Sequence, residues 1–164
     1  MTDNKINLLI VDDEEQFLAS ISKSLQVRDF NVTAVNRGEK AIEAARNSKF
    51  DVALVDLKMP GMNGEETLRA LKKEHKWMEV VILTGHGSVR SAVDMMKSGA
   101  YEYLQKPCNL EELLTALKNA YQKKVMNRKD IDADRMEEML ALSTAESPMG
   151  ILAILNRLRE IDKG

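Results

Sequence analysis

The sequence predicts an α/β fold in which a five-stranded parallel sheet is wound on both faces by helices, with a helical extension after it. Three observations predict it. Strand-like and helix-like segments alternate through about residue 125, the pattern of βα units around a parallel sheet. The first apolar run, residues 6–11, is almost unbroken, as expected where helices cover both faces. Acidic residues then close two of the runs: Asp12 and Asp13 follow Val11, and Asp56 follows Val55.

The strands are expected at 6–11, 31–35, 51–55, 80–83 and 101–104. Helical spacing links them. Leu18, Ile21 and Leu25 repeat at helical intervals after the first strand, as do Leu68 and Leu71 after the third. Val89, Ala92, Val93 and Met96 mark a fourth helix, and Leu110, Leu113, Leu114 and Leu117 a fifth. Asn36-x-x-Glu39, Asn63-x-x-Glu66 and Asn109-x-x-Glu112 each resemble a capping box, with Asn replacing the usual Ser or Thr. Ser88 is expected to cap the fourth helix, and Gly99 to end it in the left-handed conformation.

Length and composition narrow the function classes. At 164 residues, 44% apolar and 30% charged, the chain is long enough for one domain with a real core plus an appendage. A net charge of −2 gives no electrostatic reason to expect nucleic acid or an anionic membrane as partner. No apolar stretch reaches the roughly 20 residues a spanning helix needs, and the first residues lack a signal peptide's apolar region, so the protein is expected in the cytoplasm. Cys108 is the single cysteine, which excludes an intrachain disulfide and a thiolate-based structural zinc site. Next to Pro107, it reads as a packing residue rather than a nucleophile.

The acids have company. The fourth strand delivers Thr84, and the fifth is followed by Lys106-Pro107. In an open parallel sheet, strand carboxyl ends meet along one edge, and ligands bind there. Three carboxylates, a hydroxyl and a cation on one edge suit a divalent cation and a phosphoryl group better than an uncharged substrate. Singly, each residue has a plainer reading: a solvated acidic loop, a helix cap at Asp56, a strand-end hydroxyl at Thr84, a surface charge at Lys106. Their coincidence in order is what sets the plain readings aside.

Asp12-Asp13, Asp56 within Asp56-Leu-Lys-Met-Pro60-Gly61-Met-Asn-Gly64, Thr84-Gly85-His86-Gly87 and Lys106-Pro107 together resemble the receiver domain of bacterial two-component response regulators. The resemblance covers residues 5–125 and implies the flavodoxin-like, CheY-like arrangement of the sheet. It implies that Asp56 accepts a phosphoryl group from a sensor histidine kinase or phosphotransfer protein, and that Mg²⁺ is required. Asp13 and Asp56 would ligate the metal directly, Asp12 mainly through bound water, and the Lys58 backbone carbonyl would add a neutral oxygen. Lys106 and Thr84 would engage the phosphoryl oxygens, and Tyr103 would enter the space that Thr84 leaves on activation. The Lys106–Pro107 bond would be cis. Lys58 and His86, each two residues beyond a signature residue, would border the hydrolytic water and tune the lifetime of the phosphorylated state.

Other functions fit the residues less well. A phosphotransferase or phosphatase of the aspartyl-nucleophile type needs a second acid two residues after the first, where this chain has Lys58. A nucleotide or flavin module needs a glycine-rich turn after the first strand, where Asp12-Asp13-Glu14-Glu15 would repel phosphate. A scaffold without phosphotransfer would have no use for the acid, hydroxyl and lysine set. The protein is therefore expected to be a signalling domain and not an enzyme, with only intrinsic self-phosphorylation and autodephosphorylation.

Residues 126–164 read as a separate helical extension. Asp130, Asp132 and Asp134 are expected to interrupt its first helix, and Ser147-Pro148 to start another, with an apolar stripe at Ile151, Ile154, Leu155, Leu158 and Ile161. Such a stripe needs a cover, and a homodimer through these helices is the favoured one. From Gln122 onward, eight basic and eight acidic residues leave no basic stripe, so no direct nucleic-acid binding is expected from this chain. Both a stand-alone receiver and a piece of a larger regulator fit this pattern.

Overall fold

Apolar runs long enough for strands alternate with amphipathic runs long enough for helices, and that alternation fixes the order of elements. The computed structural model describes residues 5–143. In chain order they form β1 (Ile6–Val11), α1 (Glu15–Gln26), β2 (Phe30–Val35), α2 (Gly38–Asn47), β3 (Val52–Val55), α3 (Gly64–Glu74), β4 (Glu79–Thr84), α4 (Val89–Lys97), β5 (Glu102–Gln105) and α5 (Leu110–Ser143). All strand pairs are parallel, in the order β2-β1-β3-β4-β5. This is the doubly wound, flavodoxin-like sheet that the sequence predicts. The chain divides into two compact units between Lys124 and Val125, and every residue of the candidate site belongs to the first.

Successive strand residues point to opposite faces, so each face of the sheet collects every second residue. Leu9, Val11, Ala53, Val55, Val80 and Ile82 meet Ala41, Leu68, Leu71 and Met95 from α2, α3 and α4 on one face. Leu8, Ile10, Val52, Leu54, Val81 and Leu83 meet Leu25, Leu113 and Leu117 from α1 and α5 on the other. Both sides of β1, β3 and β4 are thus sealed, and each fully buried Leu or Ile contributes about 1.5–3 kcal/mol.

The helix starts follow the sequence signals unevenly. Asn63 forms a complete capping box with Glu66, and Ser88 forms one with Ser91. Asn109 Oδ1 accepts from the Glu112 N–H at 2.7 Å, which is one half of the expected box. Gly99 follows the end of α4 at φ 106°, as expected. Asn36, however, caps nothing. Arg37 is the N-cap of α2, and Glu39 reaches away from it to accept the Met62 N–H at 2.9 Å, tying α2 to the loop before α3. The Asn36 amide oxygen is left buried without a partner among the described residues.

Two other expectations change. The predicted break at Asp130, Asp132 and Asp134 is not found, and α5 runs through them to Ser143. Aspartate costs a helix only about 0.7 kcal/mol per residue relative to alanine, and the flanking Met, Arg, Glu and Leu residues favour the helix. The charged run Lys72-Lys73-Glu74-His75-Lys76 leads one to expect His75 in solvent, but it is the C-cap of α3 and half-buried, because the chain turns there and shields Nε2. Ser147, Pro148 and the stripe from Ile151 to Ile161 lie outside the described residues.

Candidate functional site: an acidic corner beside a hydroxyl and a lysine

Strand order places the acids. The sheet reverses its winding between β1 and β3, and their register pairs Val11 with Val55. Asp12 and Asp56, one residue further on, therefore leave adjacent strand ends at the switch point, where α/β proteins bind ligands. The ladder continues for one step, with the Asp56 N–H donating to the Val11 carbonyl at 2.9 Å. At the other side, the Lys106 N–H donates to the Thr84 carbonyl at 2.9 Å, which sets Lys106, one residue past β5, beside the end of β4. The Lys106–Pro107 peptide is cis, as the resemblance implies.

Asp12 is buried and fully engaged. Its Oδ1 accepts the Glu14 N–H at 2.9 Å, shaping the loop into α1, and its Oδ2 accepts from Lys106 Nζ at 2.7 Å. Asp56, also buried, accepts the Leu57 N–H at 2.8 Å. Burial pushes the Asp56 carboxyl above the ordinary carboxylate range, and the Asp12 charge adds to the rise. The Thr84 hydroxyl, the Lys106 ammonium and the Leu57 N–H oppose it. Gly64 lets α3 start against this loop: a Cβ there would lie 2.3 Å from the Asp56 carbonyl oxygen, so a side chain does not fit.

One carboxylate oxygen from each of Asp12, Asp13 and Asp56 lies within 4.8 Å of the others. Asp13 is exposed, so the group opens to solvent on one side. Hard oxygen donors of this kind suit Mg²⁺, which binds through a few carboxylates and retains several waters. Burial and the neighbouring Asp12 charge both disfavour the ionised Asp56 carboxyl, and a divalent cation at this corner would favour it.

The hydroxyl side is built differently. Thr84 is fully buried, and its Oγ1 accepts the His86 N–H at 3.1 Å. Tyr103, on the edge strand β5, is half-buried against the cluster on the α2–α4 face, with its hydroxyl 2.8 Å from Ser91 Oγ. A Cβ on Gly87 would come within 2.5 Å of that hydroxyl, so the tyrosine occupies room that only glycine leaves. The Lys58 and His86 side chains are exposed. Cys108 is half-buried against the α1–α5 face, and its thiol is pushed up by burial and by Glu112 and Glu102, in keeping with a packing role.

One contact had no signal in the sequence. Lys106 Nζ lies 4.0 Å from the centre of the Phe17 ring. Phe17 reads as another apolar position of α1, and only the fold brings it under the lysine.

The model of the response regulator receiver domain matches residues 8–118. The chain belongs to that family. The receiver is 35% identical over 120 residues to the transcriptional regulatory protein ZraR of Escherichia coli K12, covering 73% of this chain and 27% of ZraR. It is 33% identical over 129 residues to a putative response regulator NtrX-like of Rickettsia bellii, covering 77% of this chain and 27% of that protein. Among solved structures, a CheY-like receiver from Methanospirillum hungatei superposes with a TM-score of 0.72 at 28% identity, covering 75% of this chain and 98% of that one. A receiver from Clostridium thermocellum gives 0.69 at 34% identity, covering 74% and 98%. The chain thus spans about a quarter of the length of the curated relatives named here. Because those relatives are longer, and ZraR is named a transcriptional regulatory protein, the expectation of no nucleic-acid partner cannot extend beyond the residues present. Receivers of this family act in two-component phosphorelay signalling, and this one is a signalling domain of that kind.

Proposed function

We propose that Asp56 is the phosphoacceptor of this receiver, that a sensor histidine kinase or phosphotransfer protein is its donor, and that the phosphorylated form regulates a partner or an output. The observation that carries this is the setting of Asp56: a buried carboxylate at the switch point, beside two further acids, with Thr84 and Lys106 on its other side. In the transfer, an Asp56 oxygen attacks phosphorus, the O–P bond forms, and the N–P bond to the donor histidine breaks, leaving the imidazole nitrogen to take a proton. Carboxylate and phosphoryl group are both anionic, so their repulsion is the barrier to be lowered. Asp12, Asp13, Asp56 and the Lys58 carbonyl would hold Mg²⁺, which supplies positive charge to the transferring oxygens when bound. Lys106 would exchange its bond to Asp12 for one to a phosphoryl oxygen, and Thr84 would donate to another.

Thr84 moving toward the new oxygens would open the space that Tyr103 enters, giving up the Ser91 contact and altering the α4–β5 surface. Lys58 and His86 would tune the access of water to the phosphoryl group, and their exposure just after Asp56 and Thr84 supports that reading. The reading further holds that the protein works in the cytoplasm, turns over no substrate beyond its own phosphorylation and dephosphorylation, and dimerises through residues 126–164. Exposure of Met126 and Met136 supports the last point. Among the described residues no helix is long and apolar enough to cross a membrane.

The test is labelling by a small phosphodonor with Mg²⁺, read by mass spectrometry. A single phosphoryl group on Asp56 is expected, with no labelling of Asp56→Asn or in excess chelator. Equal labelling of that variant overturns the assignment.

A further inference from the structure

Lys106 is anchored on two sides by quite different groups. Asp12 Oδ2 holds its ammonium at 2.7 Å, Glu14 Oε1 lies at 3.9 Å, and the Phe17 ring centre lies at 4.0 Å. The ring is itself fixed. Phe17 belongs to the first turns of α1, where the Leu18 N–H donates to the Glu14 carbonyl, and its side chain packs into the apolar cluster on the α1–α5 face. The ammonium therefore rests over a ring that packs against the core.

The two kinds of anchor differ in what they ask of the lysine. A carboxylate competes with an incoming phosphoryl group for the same cation, so each bond to Asp12 or Glu14 must be given up in exchange. An aromatic face attracts a cation through its quadrupole while carrying no net charge and offering no oxygen. It can keep a flexible four-carbon side chain near the site without opposing the anion that the side chain must meet.

We propose that Phe17 is a positioning residue for phosphoryl recognition: its ring holds the Lys106 ammonium poised at the acidic corner, so that little ordering remains when the phosphoryl group arrives. This rests on the reading of Asp56 as the acceptor. Phe17 touches the lysine and none of the metal-binding carboxylates in the contacts described, so its role is separable from metal binding.

The probe is beryllofluoride, which mimics the acyl phosphate, titrated with Mg²⁺ present into the full chain and its variants. Phe17→Leu and Phe17→Met remove the ring and leave apolar side chains of different shape, and Phe17→Tyr retains it. Removal of the ring is expected to weaken beryllofluoride binding on the order of tenfold, with affinity for Mg²⁺ alone held within about twofold and Phe17→Tyr close to the parent. Proton chemical shifts of the Lys106 ε-methylene should move upfield by ring current in the parent and Phe17→Tyr, and lose that displacement in Phe17→Met. Parent-like binding by Phe17→Leu and Phe17→Met overturns the proposal. So does a loss in Phe17→Tyr equal to that in Phe17→Met, or a matching loss of Mg²⁺ affinity, since each indicates packing alone. A parent that binds Mg²⁺ but takes up no beryllofluoride overturns the acceptor reading, and this role with it.

Discussion

The acidic corner and the α4–β5 edge lie at the two sides of one site, yet they are held with unequal firmness. At the corner, Asp12 has both carboxylate oxygens bonded, Asp56 is tied to the Val11 strand end, and α3 starts against the acceptor loop at Gly64 and buries Thr67, Leu68 and Leu71. Of α4's residues only Met95 is buried, while Val89, Val93 and Met96 are 84%, 46% and 47% exposed. A chemical step needs fixed geometry, and a signal needs an element that moves at small cost. On the proposed reading, the firm side carries the chemistry and the loosely packed side the signal.

The strongest challenge to this contrast is to cut the core under each side. Leu68→Ala removes a fully buried side chain of α3, the helix that starts against the acceptor loop, and should cost about 2–5 kcal/mol of unfolding free energy. Urea unfolding followed by far-ultraviolet circular dichroism measures it. A loss below 1 kcal/mol, about the level of an average substitution, would mean that the corner is no firmer than the edge.

Thr84→Ala tests the connection between the two sides. Moving a two-state equilibrium from 1:99 to 99:1 takes about 5.5 kcal/mol of differential stabilisation. A hydrogen bond to a charged group supplies about 1.5–3 kcal/mol of it, so the variant should accept a phosphoryl group yet shift only partly. Chemical shifts around Tyr103 with beryllofluoride report the shift. Parent-like changes there would disconnect Thr84 from the edge.

Much of this molecule was legible in its sequence, for identifiable reasons. β1, β3 and β4 are buried on both faces, and apolar runs ending in Asp12, Asp56 and Thr84 carry that directly. The spacing of Asn63 and Glu66 fixed a cap because both partners lie within one turn. Asn36 misled because Glu39 found a better partner in Met62, 23 residues away, which no local pattern encodes. Phe17 under Lys106 and Ser91 beside Tyr103 escaped for the same reason: each pair meets only through the sheet order. The three aspartates of the extension misled because propensity is a weak prior, and a long run of good helix formers outweighs it.

A smaller effect should appear at Asp56 itself. Its carboxyl is raised in the folded state by burial and by Asp12, so protonated Asp56 stabilises the fold below the unfolded carboxylate range. That stability is lost as pH rises through the folded value, and at neutral pH ionised Asp56 is a cost. Asp56→Asn should accordingly be more stable than the parent at neutral pH without Mg²⁺, on the order of 1 kcal/mol. The gain should shrink on acidification, and also on adding Mg²⁺, which stabilises the parent by binding its folded state. A gain independent of pH would point to some cause other than charge.

The smallest expected effect is at the edge. Val93→Ser replaces a side chain that is 46% exposed and absent from both apolar clusters, so stability should change by no more than about 0.5 kcal/mol. The substitution is informative because the proposed switch predicts an effect elsewhere. If the phosphorylated form presents the α4–β5 surface to a partner or a second copy, removing an apolar contact from α4 leaves labelling of Asp56 unchanged while weakening the association that follows. Sedimentation with and without beryllofluoride, alongside urea unfolding, separates the two. A loss of stability comparable to that of Leu68→Ala would show α4 to be as firmly built into the core as α3, and the contrast between the two sides of the site would fall.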